Sequence, residues 1–106
     1  MILPALAAAA VAATNVGVAE REWRIGVYVP VVKRGLVTFN VHNFGEDAHD
    51  LRLRGPQRFR SPVMPEVQPG QNATLTVRLS RRGRYALVCT LPGHEKLGMR
   101  AVLRVR

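Results

Sequence analysis

One stretch of the chain, CTLPGHEKLGM (residues 89–99), carries a thiol, an imidazole and a thioether at equal spacing: Cys89, His94 and Met99, with four residues between neighbours. Thiolate and thioether are soft donors and imidazole is borderline, so the set suits copper better than calcium or magnesium. Zinc is the main competitor, but structural zinc sites prefer four Cys or His ligands. Cys89 is the only cysteine, so a disulfide within the chain is excluded. In an oxidising compartment a lone thiol needs an occupant, and a metal supplies one. A buried free cysteine is the plainer alternative, but it leaves His94 beside a stiff Pro92-Gly93 turn unexplained.

Three donors from one loop need a fourth from elsewhere, and two histidines are available. His42 falls on the polar side of LVTFNVHN (residues 36–43), whose Val37, Phe39 and Val41 alternate with Thr38, Asn40 and His42 in the manner of a half-buried strand. That places it on the surface. His49 follows the FGEDA turn and opens the next strand, AHDLRLR (48–54), at an end of the fold where loops gather, so His49 is the expected partner.

The elements that must position these residues are short strands. REWRIGVYVPVV (21–32) is β-rich and broken at Pro30, and QNATLTVRLS (71–80) alternates with Ala73, Leu75, Val77 and Leu79 inward. YALVC (85–89) delivers Cys89, RRGR ahead of it reads as a hairpin turn, and MRAVLRVR (99–106) departs from Met99. Residues 55–70 hold four prolines and two glycines, which predicts a long connection without a stable helix. Six or seven strands between turns predict an all-β, antiparallel Greek-key sandwich. Trp23 and Tyr28 are expected in its core, and Tyr85 beneath the site on the face of Cys89; Met64 has no partner at ligand spacing and reads as core filler or surface.

Residues 1–19 contain no charged side chain, whereas all sixteen Lys/Arg and seven Asp/Glu lie from Glu20 onward. The opening therefore reads as an export-signal-like or anchor segment, with small residues suited to cleavage near Ala13 or Ala19, followed by one domain over 20–106. Export places the protein in the periplasm or elsewhere outside the cytoplasm, and an uncleaved leader would hold it on a membrane. The formal charge is +9. Nucleic acid is the reflex partner of such a chain, but export removes it, and arginines that alternate with apolar residues read as the solvated faces of strands.

VTFNVHNFGEDAHDL followed by YALVCTLPGHEKLGM resembles the cupredoxins, the blue-copper family of plastocyanin, azurin and rusticyanin, and the Cys-x4-His-x4-Met loop is most similar to the rusticyanin-like pattern. The resemblance spans residues 21–106. It implies one type 1 copper ion with His49, Cys89 and His94 in a trigonal plane, Met99 as a long axial ligand, both imidazoles bound through Nδ1, and the His94 edge at the surface. It implies a monomeric one-electron carrier, not an enzyme, that meets transient redox partners; the basic charge of the chain points to an acidic partner or to anionic lipid head groups. The alternative is a copper chaperone or resistance protein without redox duty. The chain departs from the family at Asp50, where Asn is usual. A carboxylate there can accept the Thr90 N–H but adds negative charge near the metal.

Overall fold

A computed structural model describes residues 12–106. Among these residues eight strands form two four-stranded sheets. One has the order β2-β1-β4-β6 and the other β3-β8-β7-β5. The first sheet comprises β1 (Thr14–Arg21), β2 (Arg24–Val27), β4 (Gly35–Asn43) and β6 (Asn72–Leu79). The second comprises β3 (Val31–Val32), β5 (Arg52–Arg54), β7 (Gly83–Val88) and β8 (Arg100–Val105). Val37, Phe39 and Val41 of β4 and Leu75, Val77 and Leu79 of β6 bury against Leu87 of β7 and Leu103 and Val105 of β8. The period-two pattern thus reports the inward faces of β4, β6 and β8 correctly.

The sandwich is all-β as expected, but its sheets are mixed rather than purely antiparallel. β1 runs parallel to β4, and β3 parallel to β8. Alternation shows which face of a strand is buried and is silent on its neighbour's direction. RRGR is likewise not a hairpin, because the strands it joins, β6 and β7, lie in different sheets.

The boundary expected after residue 19 falls inside β1. Residues 14–19 are paired along β4, with Thr14 opposite Val37 and Ala19 opposite His42, and they bury Val16 and Val18 completely or nearly so. An uncharged strand buried in a core has the same composition as the end of a leader, which is why composition places the boundary too late. A cleavage near Ala13 leaves this strand whole. Residues 1–11 of the expected leader lie outside the described residues.

Glu20 continues the inward face of β1 and is fully buried. Neither of its carboxylate oxygens has a hydrogen-bond partner among the described residues. Burial, reinforced by the nearby Asp50 charge, pushes its carboxyl up to about 8. The folded state keeps a proton that the unfolded chain gives up near pH 4.5. Stability from this group is therefore lost as pH rises from about 4.5 towards about 8 and stays low above that. Glu20→Leu should raise Tm at pH 8 by about 5 °C or more and flatten the decline between about pH 5 and 9. A melting series showing the same Tm and slope as the parent would remove Glu20 as the cause.

Met64, which the sequence leaves open to core or surface, is buried in the core. Trp23 and Tyr28 are not in the core: they are 37% and 69% exposed. Tyr85 is buried, but it packs away from the site. Its ring lies edge-on to Phe59 with centroids 5.6 Å apart, and its hydroxyl donates to the Arg81 carbonyl at 2.8 Å.

Candidate metal centre

The site forms where β1, β4 and β7 end and β2, β5, β6 and β8 begin. Cys89 follows β7 directly and Met99 precedes β8 directly, and the Cys89 N–H donates to the Met99 carbonyl at 3.3 Å. Antiparallel pairing of β7 with β8 therefore closes the loop with both sulfur residues at its neck, fully buried. Inside the loop Gly93 takes a left-handed φ of 80° and starts α1 (His94–Leu97), a single helical turn that directs His94 back toward the neck. Gly98 ends it at φ 128°, where a Cβ would stand 2.7 Å from the Trp23 carbonyl oxygen, so only glycine fits. This helical turn is not legible in the loop's sequence, because four residues are too few for a periodicity to show.

His49 comes from the segment that crosses from β4 in one sheet to β5, which lies beside β7 in the other. It is fully buried and held by a two-bond bridge to Val67, with its N–H donating to the Val67 carbonyl at 3.1 Å and the Val67 N–H returning at 2.7 Å. The expected strand is therefore shorter, and His49 precedes β5 on this bridge. His49 Nδ1 lies 3.3 Å from His94 Nδ1 and 4.0 Å from Cys89 Sγ, and His94 Nδ1 lies 3.5 Å from the same sulfur. The three donor atoms lie within 4.8 Å of one another. Nitrogen and sulfur donors held about 2.0–2.3 Å from one ion stand roughly 3.3–3.8 Å apart, so the residues present fit a single metal ion. Both imidazoles turn Nδ1 inward, as the resemblance implied. Met99 is buried at the loop neck, hydrogen-bonded through its backbone to Cys89, where the resemblance puts the axial ligand. His42 is elsewhere: half-buried on β4, it hydrogen-bonds Asn72 and packs on Phe44.

The surroundings tune these donors. The Cys89 thiol is pushed up to about 11, first by burial and then by the charges of Asp50 and Glu20, against the opposing pull of N–H donors from Asp50 and Leu91. The metal-free protein therefore holds a neutral thiol at neutral pH, and a metal must displace its proton on entry. Asp50 is buried and accepts the Thr90 N–H at 2.6 Å as well as the Thr90 hydroxyl. The tie between the histidine segment and the cysteine loop is thus made by a carboxylate in place of the usual amide. The Asp50 N–H points at Cys89 Sγ from 3.5 Å.

Two residues of the site are not signalled by the sequence. Glu22, in the turn between β1 and β2, sits 2.9 Å from His49 Nε2 and accepts the N–H groups of Glu46 and Asp47. With Nε2–H donated to Glu22, His49 presents a lone pair on Nδ1, the tautomer a metal requires. Burial would raise the Glu22 carboxyl, but the hydrogen bonds from Asp47, Glu46, its own N–H and His49 outweigh it and hold the group at about 2. Gly45 leaves room for the same carboxylate, since a Cβ there would lie 2.5 Å from its oxygens and displace it. Glu22→Ala should weaken copper binding about 10–100-fold in competition with a chelator; unaltered affinity would take Glu22 out of the site. Trp23, next in the turn, lies edge-on to His94 with centroids 4.8 Å apart. The general rule that a ligand histidine donates its second N–H to a carboxylate is the one signal that points to Glu22, and it names no position.

The fold and the donors define the class: a cupredoxin-type β-sandwich with a His, Cys, His and Met cluster at one pole. No protein-family model matches the chain, and no curated protein matches it. Among solved structures it is similar to a dithionite-reduced auracyanin from the photosynthetic bacterium Roseiflexus castenholzii, with TM-score 0.71, 19% identity, and 91% of this chain and 99% of that chain covered. Auracyanin A, a "blue" copper protein from the green thermophilic photosynthetic bacterium Chloroflexus aurantiacus, matches at TM-score 0.68 and 16% identity over 90% and 100% of the two chains. A multicopper oxidase matches at TM-score 0.65 and 13% identity over 88% of this chain but 44% of that one. At these identities the likeness establishes the fold.

Proposed function

We propose that the protein is a type 1 copper protein that carries single electrons between redox partners outside the cytoplasm. One observation supports this above the rest: two inward Nδ1 atoms and a buried sulfur converge at single-ion spacing, in the fold shared with a blue copper protein. Copper in such a site supplies a reversible Cu(II)/Cu(I) couple. The chain's own residues do the remainder. Glu22 and Asp50 fix His49 and the cysteine loop, so the donors stay in place through both oxidation states. Burial of Cys89, His49 and Met99 keeps water from the ion. His94 is the one half-exposed member of the four. Around it Pro92, Gly93 and Leu97 are exposed, and Trp23 packs on its ring. An apolar rim of this size suits brief, weak encounters, and Arg52, Arg60, Lys96 and Arg100 beside the loop would steer an acidic partner.

A carrier fits better than an enzyme because the donor set leaves no open metal position, and the spare histidine, His42, points away. A place outside the cytoplasm is supported by the uncharged residues 1–13 that precede β1. No helix among the described residues is long and apolar enough to cross a membrane. The test is to purify the protein with Cu(II), record its visible and electron paramagnetic resonance spectra, and measure electron self-exchange. One copper per chain, an intense thiolate-to-copper band and fast exchange are expected. A blue site that exchanges slowly and surrenders copper readily would favour the chaperone reading, and a colourless zinc-preferring site would sink both.

A further inference from the structure

We propose that the pole of the sandwich opposite the metal centre rests on an anionic lipid surface. A groove of about 830 Å³ opens there, lined by Lys33, Arg34, Arg82, Arg84, Arg104 and Arg106. All six side chains are exposed. None has a carboxylate within 4.0 Å among the described residues, whereas Arg54 and Arg100 near the metal pole both pair with Glu95. Arg84 and Arg104 face each other directly across β7 and β8, an arrangement that like charges disfavour and that a shared anion relieves. The main chain that carries two of them is tied together, because Arg34 N–H donates to the Arg106 carbonyl at 3.0 Å and Arg106 N–H to the Val32 carbonyl at 2.9 Å.

Two further features single out a bilayer from other anions. β1 begins at this pole, with Thr14 opposite Val37, so the uncharged N-terminal run leads into the domain beside the groove. An apolar segment and a basic patch are the two signals that together give stable membrane attachment when either alone is marginal. The groove is also remote from the metal. The six residues of β7 separate it from Cys89, about 20 Å of strand, so an occupant there leaves the His94 rim free. A redox partner seated in the groove would be too far from the ion to be served through His94. The arrangement holds the domain upright with its metal pole facing the aqueous side. The inference deepens the proposed location and does not depend on the identity of the metal.

The test is flotation of the full chain with vesicles of phosphatidylcholine alone or with about 30% phosphatidylglycerol. The anionic vesicles should bind at least about tenfold more tightly, with the advantage falling as salt rises. The variant R82Q/R84Q/R104Q should lose about a hundredfold. R21Q/R24Q/R60Q, which removes the same charge near the metal pole and beside β5, should lose far less. Trp23, the only tryptophan, reports orientation: nitroxide-labelled lipid should leave its emission unquenched. Equal binding to both vesicle types, equal losses in the two triple variants, or quenching of Trp23 would each overturn the proposal. So would tight binding of the groove to an acidic soluble protein with no preference for the charged vesicles. The visible copper band, recorded on the same samples, keeps the outcomes separate: vesicle binding without the band defeats the copper reading alone.

Discussion

Cys89→Ser should abolish the intense visible absorption of the copper-loaded protein completely, while the far-UV circular dichroism stays that of a β-sandwich. The band belongs to charge transfer from a thiolate, and Cys89 is the only thiol in the chain. Serine is close to isosteric, so the loop, closed by the backbone bond from residue 89 to Met99 and by the Asp50–Thr90 contacts, has no steric reason to open. A hydroxyl is a far harder donor than a thiolate and a poor match for Cu(I). The same residue predicts a pH effect. Burial holds the thiol at about 11 in the metal-free state, so uptake of copper at neutral pH releases its proton. Apparent affinity should then rise by about tenfold per pH unit from this group through the range below about 11. Calorimetry in buffers of different ionisation enthalpy reads the released proton directly. A serine variant that stays blue, or uptake without proton release, would show that Cys89 is not the copper thiolate.

The second large effect separates the two upstream histidines. His49→Ala should weaken copper binding by more than the roughly 10–100-fold characteristic of an outer-shell partner and change the electron paramagnetic resonance signal of what remains. It deletes a donor 3.3 Å from His94 Nδ1, leaves the Glu22 carboxylate facing a cavity, and removes the side chain that the β1–β2 turn packs around. His42→Ala should leave affinity and spectrum unchanged within error and cost at most a modest loss of stability, since its contacts are to Asn72 and Phe44 on the outer side of β4. The comparison is made by titration against a chelator and by spectroscopy of the loaded variants. A severe His42 variant beside a mild His49 variant would reverse the ligand assignment.

The residues that define the centre are readable from the amino-acid order because each declares itself over a short span. Cys89, His94 and Met99 share one loop, and the alternation of residues 36–43 separates an outward His42 from a His49 at the strand ends. What is not readable lies in contacts between segments far apart in the chain. Glu22 is 27 positions from the histidine it orients. Trp23 follows it in a turn that has the composition of a strand interior, so the pattern points it to a core from which it is absent. Tyr85 shares the inward face of β7 with Cys89, but the strand's length carries it away from the site. Glu20 reads as the first charge after a leader, yet it occupies an inward position that Val16 and Val18 already mark.

By itself, then, the sequence determined the donor chemistry, the β class and the inward faces of β4, β6 and β8, because donor softness, turn residues and side-chain alternation are properties of neighbouring residues. Only the tertiary structure decided that residues 14–19 are a strand of the domain, that two strand pairs run parallel, and that Glu22 orients His49. It alone gathered the cations at the pole opposite the metal. Each of these depends on which strand lies beside which, and packing across the whole sandwich sets that order through contacts that no local pattern encodes.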